Sequence, residues 1–269
     1  MRIVRRIMAI IPRFYMNAVV SIGVMKEKEV KWVGTGFFVL KPLTSNQAIP
    51  FMVTNKHVIL GFNEIFLRFR IKDSDELKIE KMALYNEGIP LFKLHPSKDV
   101  DIAVIALNGS YIEMNRIDFN AFDLIKNALN SKRLMENGVE EGSLIYMLGY
   151  PMGLVNEKSQ LPICRLGCIA RISETQINED MSILADIQNF PGNSGSPVVT
   201  RPEIISIEGT ISLNQSVLIG IVHSYYPYQE ELVNKQTGRT VEIRSENSGI
   251  ARIHPVEYIQ EIIDNYDNL

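Results

Sequence analysis

Cysteine is scarce: Cys164 and Cys168 are the only two in 269 residues. A disulfide-stapled scaffold needs more of them. On one strand, positions i and i+4 also stand about 13 Å apart, whereas a disulfide needs Cα atoms within ~7 Å. Two reduced, buried thiols are the expectation, and a reducing compartment fits them. The pair offers too few ligands for a structural metal, so neither metal nor cofactor is expected. Basic charge is not in excess: 28 Lys+Arg face 31 Asp+Glu, for a net charge of −3. That balance argues against a dedicated nucleic-acid binder. No apolar run reaches the ~18 residues of a membrane helix, so neither nucleic acid nor membrane is an expected partner. Arg2, Arg5 and Arg6 precede the apolar run Ile7 to Ile11, but a secretory h-region needs about 7–15 apolar residues. Residues 1–17 are therefore read as a leader packed ahead of the first strand. There is no low-complexity segment and no residue-level repeat.

What is present is apolar and β-like. Apolar residues are 46% of the chain and charged residues 22%, enough to bury a substantial core. Short β-branched or aromatic runs recur: Ala18 to Val24, Lys31 to Leu40, Phe51 to Thr54, Glu64 to Ile71, Leu77 to Leu84 and Val100 to Leu107. After residue 140 they resume at Ser143 to Leu148, Leu161 to Ile172, Met181 to Ile187, Ser196 to Thr200 and Val217 to Val222. Such spacing, with turn residues between, indicates an all-β barrel or sandwich. Between the halves, Phe122, Leu124, Ile125 and Leu129 have helical spacing, so the connection reads as partly helical. Tyr226 to Gly249 is a long polar excursion, with Gly238 as a hairpin tip between Glu231 to Val233 and Thr240 to Ile243. Val256, Ile259, Ile262 and Ile263 fall on one face of a C-terminal helix, and Pro255 suits its first turn.

Three short segments carry chemistry. In Phe190-Pro-Gly-Asn-Ser-Gly195 a serine stands between glycines. Glycines permit a tight turn that can expose the Ser194 hydroxyl and aim the backbone N–H groups of Gly192 and Ser194 at one point. Such a pair can stabilise an oxyanion. An ordinary β-turn is the plain alternative. His57 ends the run Phe51 to Thr54, and an imidazole there can act as a general base; a core or capped histidine is its plain alternative. Asp101 stands at the mouth of an apolar run, where a carboxylate must be paired, and a histidine Nδ1–H is a natural partner. Asp99 suits a solvated strand-start carboxylate better. The order His57, Asp101, Ser194 is that of the handed-down template for serine acyl transfer, with two members in the first β half and the nucleophile in the second.

These segments resemble the trypsin-like serine protease superfamily, on the bacterial side close to the high-temperature-requirement proteases. Gly34-Thr-Gly-Phe-Phe-Val39, Thr54-Asn-Lys-His-Val58, Asp101-Ile-Ala-Val104 and Asp186 to Gly195 all match its motifs in its order, and Leu148 to Gly153 resembles its glycine-rich strand end. The resemblance implies an all-β, chymotrypsin-like fold: two six-stranded antiparallel β-barrels with a C-terminal α-helix. The divisions are then 18–118 for the first barrel, 119–139 for the connection, 140–252 for the second barrel and 253–269 for the helix. It implies a serine endopeptidase acting on a protein or peptide substrate, without cofactor; the short apolar run after the N-terminal arginines makes a bacterial-type cytoplasm the expected location. It further implies that the backbone of Ile221, Val222, His223, Ser224 and Tyr225 takes substrate as an added strand, and that Gln188 lies near the base of the specificity pocket. Asn193 stands where digestive-type zymogens carry an Asp, so activation by a newly cut N-terminal amine is not expected, and an activating protein partner, oligomerisation or loop ordering is the alternative.

Two other readings compete. A catalytically latent domain serving as a binding module would keep the fold without the chemistry. An α/β-hydrolase would need Gly-x-Ser-x-Gly followed by Asp and His; Ser196 breaks that motif, although His223 and His254 follow Ser194. His223 has a structural or rim role as its plain reading, and His95 a solvated one.

Overall fold

The computed structural model describes residues 10–44, 47–74, 76–203 and 213–266. The first half contains α1 (Arg13–Asn17), β1 (Val19–Lys26), β2 (Glu29–Pro42), β3 (Ala48–Thr54), α2 (Lys56–Ile59), β4 (Glu64–Arg70), β5 (Leu77–Ala83), β6 (Tyr85–Asn86), β7 (Ile89–Pro90), β8 (Phe92–Leu94) and β9 (Ala103–Ala106). Then come α3 (Gly109–Met114), β10 (Phe122–Asp123) and α4 (Ser131–Glu136). The second half contains β11 (Leu144–Gly149), a 3₁₀ turn at Pro151–Gly153, β12 (Ile163–Arg171), α5 (Glu174–Asp180), β13 (Ile183–Asp186), β14 (Pro197–Thr200), β15 (Leu218–Val233), β16 (Thr240–Pro255) and α6 (Val256–Asp264).

The fold is all-β and chymotrypsin-like. The second half is a closed barrel in the order β11-β12-β13-β16-β15-β14. The first half is a barrel-like sheet in the order β5-β4-β1-β2-β3-β9-β8, with β10 added to β2 in parallel. Glycine allows its sharp bends: a Cβ on Gly23 would meet Val30 at 2.5 Å, and one on Gly34 would meet Val58 at 2.5 Å.

Burial of both strand faces explains why these segments read as continuous apolar runs. Along β2 and β3, Phe38 and Met52 point into the first barrel. Their neighbours Phe37, Val39, Phe51 and Val53 point the other way, into a core lying between the barrels. The second barrel does the same: Met147 and Val198 fill its interior, while Leu148 and Val199 join the shared core. Helix α6 closes that shared core. Val256, Ile259, Ile262 and Ile263 are all buried, each worth about 1.5–3 kcal/mol on burial. Pro255, with φ −57°, is the residue before the helix and not its first turn.

One sequence expectation fails here. Cys164 is exposed and Cys168 only half-buried, both free. They sit on β12, whose pattern is largely outward-facing, because only Ile169 of that strand is fully buried.

Candidate active site

Strand β3 ends at Thr54, and the short helix α2 carries His57 out of it. His57 is half exposed at the domain surface, its side chain 50% accessible against 23% for Asp101. Its Nδ1 lies 2.5 Å from Asp101 Oδ2, and its backbone N–H donates to Asp101 Oδ1 at 3.2 Å. The carboxylate therefore holds the histidine twice, once by its ring and once by its main chain. It accepts from Nδ1–H, and this leaves Nε2 as the ring's acceptor. Asp101 precedes β9, and Asn55 Nδ2 donates to its carbonyl at 2.7 Å.

The Ser194 loop is held against the first barrel by Thr35, a fully buried residue of β2. Thr35 Oγ1 donates to the Gly192 carbonyl at 2.7 Å and accepts from Tyr150 N–H at 3.1 Å. Its own N–H donates to the Ser194 carbonyl at 2.9 Å. Thr54 Oγ1 completes the set by donating to the Thr35 carbonyl at 2.8 Å. Serine loop and histidine strand thus share one threonine. Two glycines are obligatory: Gly192 (φ +95°) and Gly195 (φ +88°) have left-handed backbones. A Cβ on Gly195 would also run into the Thr35 carbonyl. With both neighbouring carbonyls engaged, the N–H groups of Gly192 and Ser194 have no acceptor among the described residues. The Ser194 hydroxyl is half-buried and likewise makes no hydrogen bond there, to His57 or otherwise. Behind the loop, Asn193 is fully buried, and its side-chain amide has no hydrogen-bond partner among the described residues.

The expected substrate strand divides in two. Ile221 is fully buried and paired on both sides, with Pro197 and with His254. Val222 spends its N–H on the Ser196 carbonyl and its carbonyl on Gly195 N–H, both at 3.0 Å. Those two residues are barrel wall and offer a peptide nothing to pair with. The strand's second edge opens only from His223 onward, since β14 pairs no further. Tyr225 is partly exposed, and the Ser224 carbonyl accepts from Asn189 Nδ2 at 3.1 Å. Gln188 is exposed, with its amide beside Gly249, and its buried neighbour Asn189 is the residue bonded to the strand. His95 is not free in solvent: its ring bonds Glu261 at 2.8 Å.

His223 and His254 form a feature that no local pattern announced. Their rings stack 3.7 Å apart at 8°. His254 Nδ1–H donates to the Met181 carbonyl at 2.7 Å, and its Nε2 accepts Asp101 N–H at 2.9 Å. Ser182 Oγ–H donates to the Asp180 carbonyl, so it accepts from His223 Nε2–H at 3.0 Å. His223 Nδ1 in turn accepts from Ser224 Oγ–H at 3.1 Å. Burial is the main cause that lowers His223 to about 2 and His254 to about 4; Arg252 adds a smaller push to both, while the Met181 carbonyl and Asp101 pull His254 partly back up. Both are neutral near pH 7.

A two-barrel β fold with a carboxylate-bonded histidine on one half and a glycine-flanked serine on the other defines the chymotrypsin-like class. The family model for the trypsin-like peptidase domain matches residues 34–203, and the chain belongs to that family. Among solved structures it is similar to the MamO protease domain from Magnetospirillum magneticum in its apo form. That similarity has a TM-score of 0.49 and 13% identity, over 92% of this chain and 96% of that one. No curated protein sequence matches the chain. Among the described residues no His, Cys, Asp and Glu cluster could hold a metal ion, and no helix is long and apolar enough to cross a membrane.

Proposed function

We propose that the chain is a serine endopeptidase that cleaves a protein substrate through an acyl-enzyme. The observation that carries this reading is the doubly held His57–Asp101 pair. Ser194 Oγ attacks the peptide carbonyl, His57 Nε2 takes its proton and returns it to the leaving amine, and Asp101 holds the tautomer and stabilises the imidazolium. The N–H groups of Gly192 and Ser194 receive the oxyanion, each worth about 2.7–4 kcal/mol in such sites. The substrate segment before the scissile bond adds to the open edge of β15 from His223 to Tyr225. A neutral Gln188 fits cleavage without a strict demand for Arg or Lys.

A second reading has its own support. The Ser194 hydroxyl makes no hydrogen bond to His57, which fits a latent domain awaiting a protein partner. Reaction with a fluorophosphonate probe, followed by intact mass, decides. Labelling of the wild type and not of Ser194→Ala is the expected result. Failure of the folded wild type to label overturns the active-enzyme reading and favours the latent one.

A further inference from the structure

Asp101 must meet His57 from a loop, because regular pairing of β9 begins only at Ala103. Two bonds fix its main chain. Asn55, from the same barrel, holds its carbonyl. His254, a residue of β16 in the other barrel, holds its N–H. His254 is suited to this by its own constraints. It is fully buried, its Nδ1–H is committed to Met181, and its ring lies flat on that of His223. The tautomer is therefore fixed with a bare Nε2 pointing at Asp101. Met181 itself is held in a left-handed backbone conformation (φ +51°) at the end of α5. Its side chain accepts from Tyr258 Oη–H at 3.1 Å.

We propose that His254 is a positioning residue for the His57–Asp101 pair, a strut from the second barrel that sets where the Asp101 carboxylate meets the imidazole. This rests on reading Ser194, His57 and Asp101 as a hydrolytic triad. A histidine that merely filled core volume would not need a free acceptor nitrogen facing the other barrel. Here the acceptor is used, across 153 residues of sequence, on the backbone of the one carboxylate that pairs with His57. The stack joins His223 to the same strut, so the strand that takes substrate and the carboxylate that orients the base are braced together.

Two measurements on the full chain test this. Imidazole ¹⁵N NMR of the wild type should find His254 as the Nδ1–H tautomer with an unprotonated Nε2; an Nε2–H tautomer overturns the proposal without any substitution. His254→Phe keeps an aromatic ring over His223 and removes the acceptor, and His254→Gln returns an acceptor oxygen near the Nε2 position. The Phe variant is expected to slow fluorophosphonate labelling about tenfold or more, at an unchanged half-saturating probe concentration, and to move the low-field His57 Nδ1–H proton resonance. The Gln variant is expected to recover most of both. A Phe variant that folds, labels at the wild-type rate and leaves that resonance in place overturns the strut while the endopeptidase reading stands. If the wild type does not label but the resonance moves with Phe and returns with Gln, the strut stands and the endopeptidase reading falls.

Discussion

Thr35 does at the residue scale what the glycines do for the backbone. One hydroxyl satisfies a carbonyl of the serine loop and an N–H of the neighbouring turn. Thr35→Val keeps the shape and leaves both groups buried and unpaired, at about 1–3 kcal/mol each. The expected outcome is a urea midpoint lowered by a matching amount, together with slower probe labelling; an unchanged midpoint would contradict the role given to Thr35. The stacked histidines predict a pH dependence. Both fold with values below the ordinary 6.5, so the unfolded chain binds protons that the folded chain refuses. Their contribution is fully present above about pH 6.5 and is lost as pH falls, towards about 4 for His254 and about 2 for His223. Each costs about 1.4 kcal/mol per pH unit inside its window. Urea titrations between pH 8 and 4.5 should show this loss, and His223→Phe should flatten it.

At the scale of elements, the β15–β16 hairpin carries the expected pairing of 231–233 with 240–243 but runs further than the sequence pattern. The apolar run of β15 ends at Val222, yet the ladder with β16 continues to Val233. From Tyr225 to Arg244 the described side chains are exposed, so the arm buries no core and hydrophobic periodicity could not extend the strand. Gly238, at φ +65°, does lie in its tip. Replacing residues 228–246 with an Asn-Gly turn should leave stability within about 0.5 kcal/mol of wild type. A larger drop in calorimetry would mean that the arm is part of the folded core. The reverse error occurs at β9: Val100 and Ile102 are buried and so read as strand, although they belong to the loop that aims Asp101. The candidate site was legible to the same degree. His57, Asp101 and Ser194 each stand in a short local word that constrains its own backbone. His254 does not, because its meaning lies in one contact between distant strands. Its only trace in the sequence is a polar ring between Ile253 and the apolar Pro255 and Val256.

At the scale of the whole molecule, the shared core predicts that the two barrels unfold as one unit. It takes side chains from β2 and β3, from β11 and β14, and from α6. Ile259→Ala should cost about 2–5 kcal/mol and lower one transition, not split it. Trp32, the single tryptophan, lies on β2 of the first barrel, so its fluorescence and whole-chain circular dichroism should report the same midpoint. Separate midpoints would show that the barrels melt independently. The bond between Asp101 and His254 also has a direction in time. A ribosome delivers Asp101 long before it delivers residue 254, so a nascent chain holds His57 and Asp101 without the bond from His254 to the Asp101 backbone. The bond to the Asp101 backbone is thereby scheduled after translation of both halves, and a chain truncated anywhere ahead of β16 lacks it permanently.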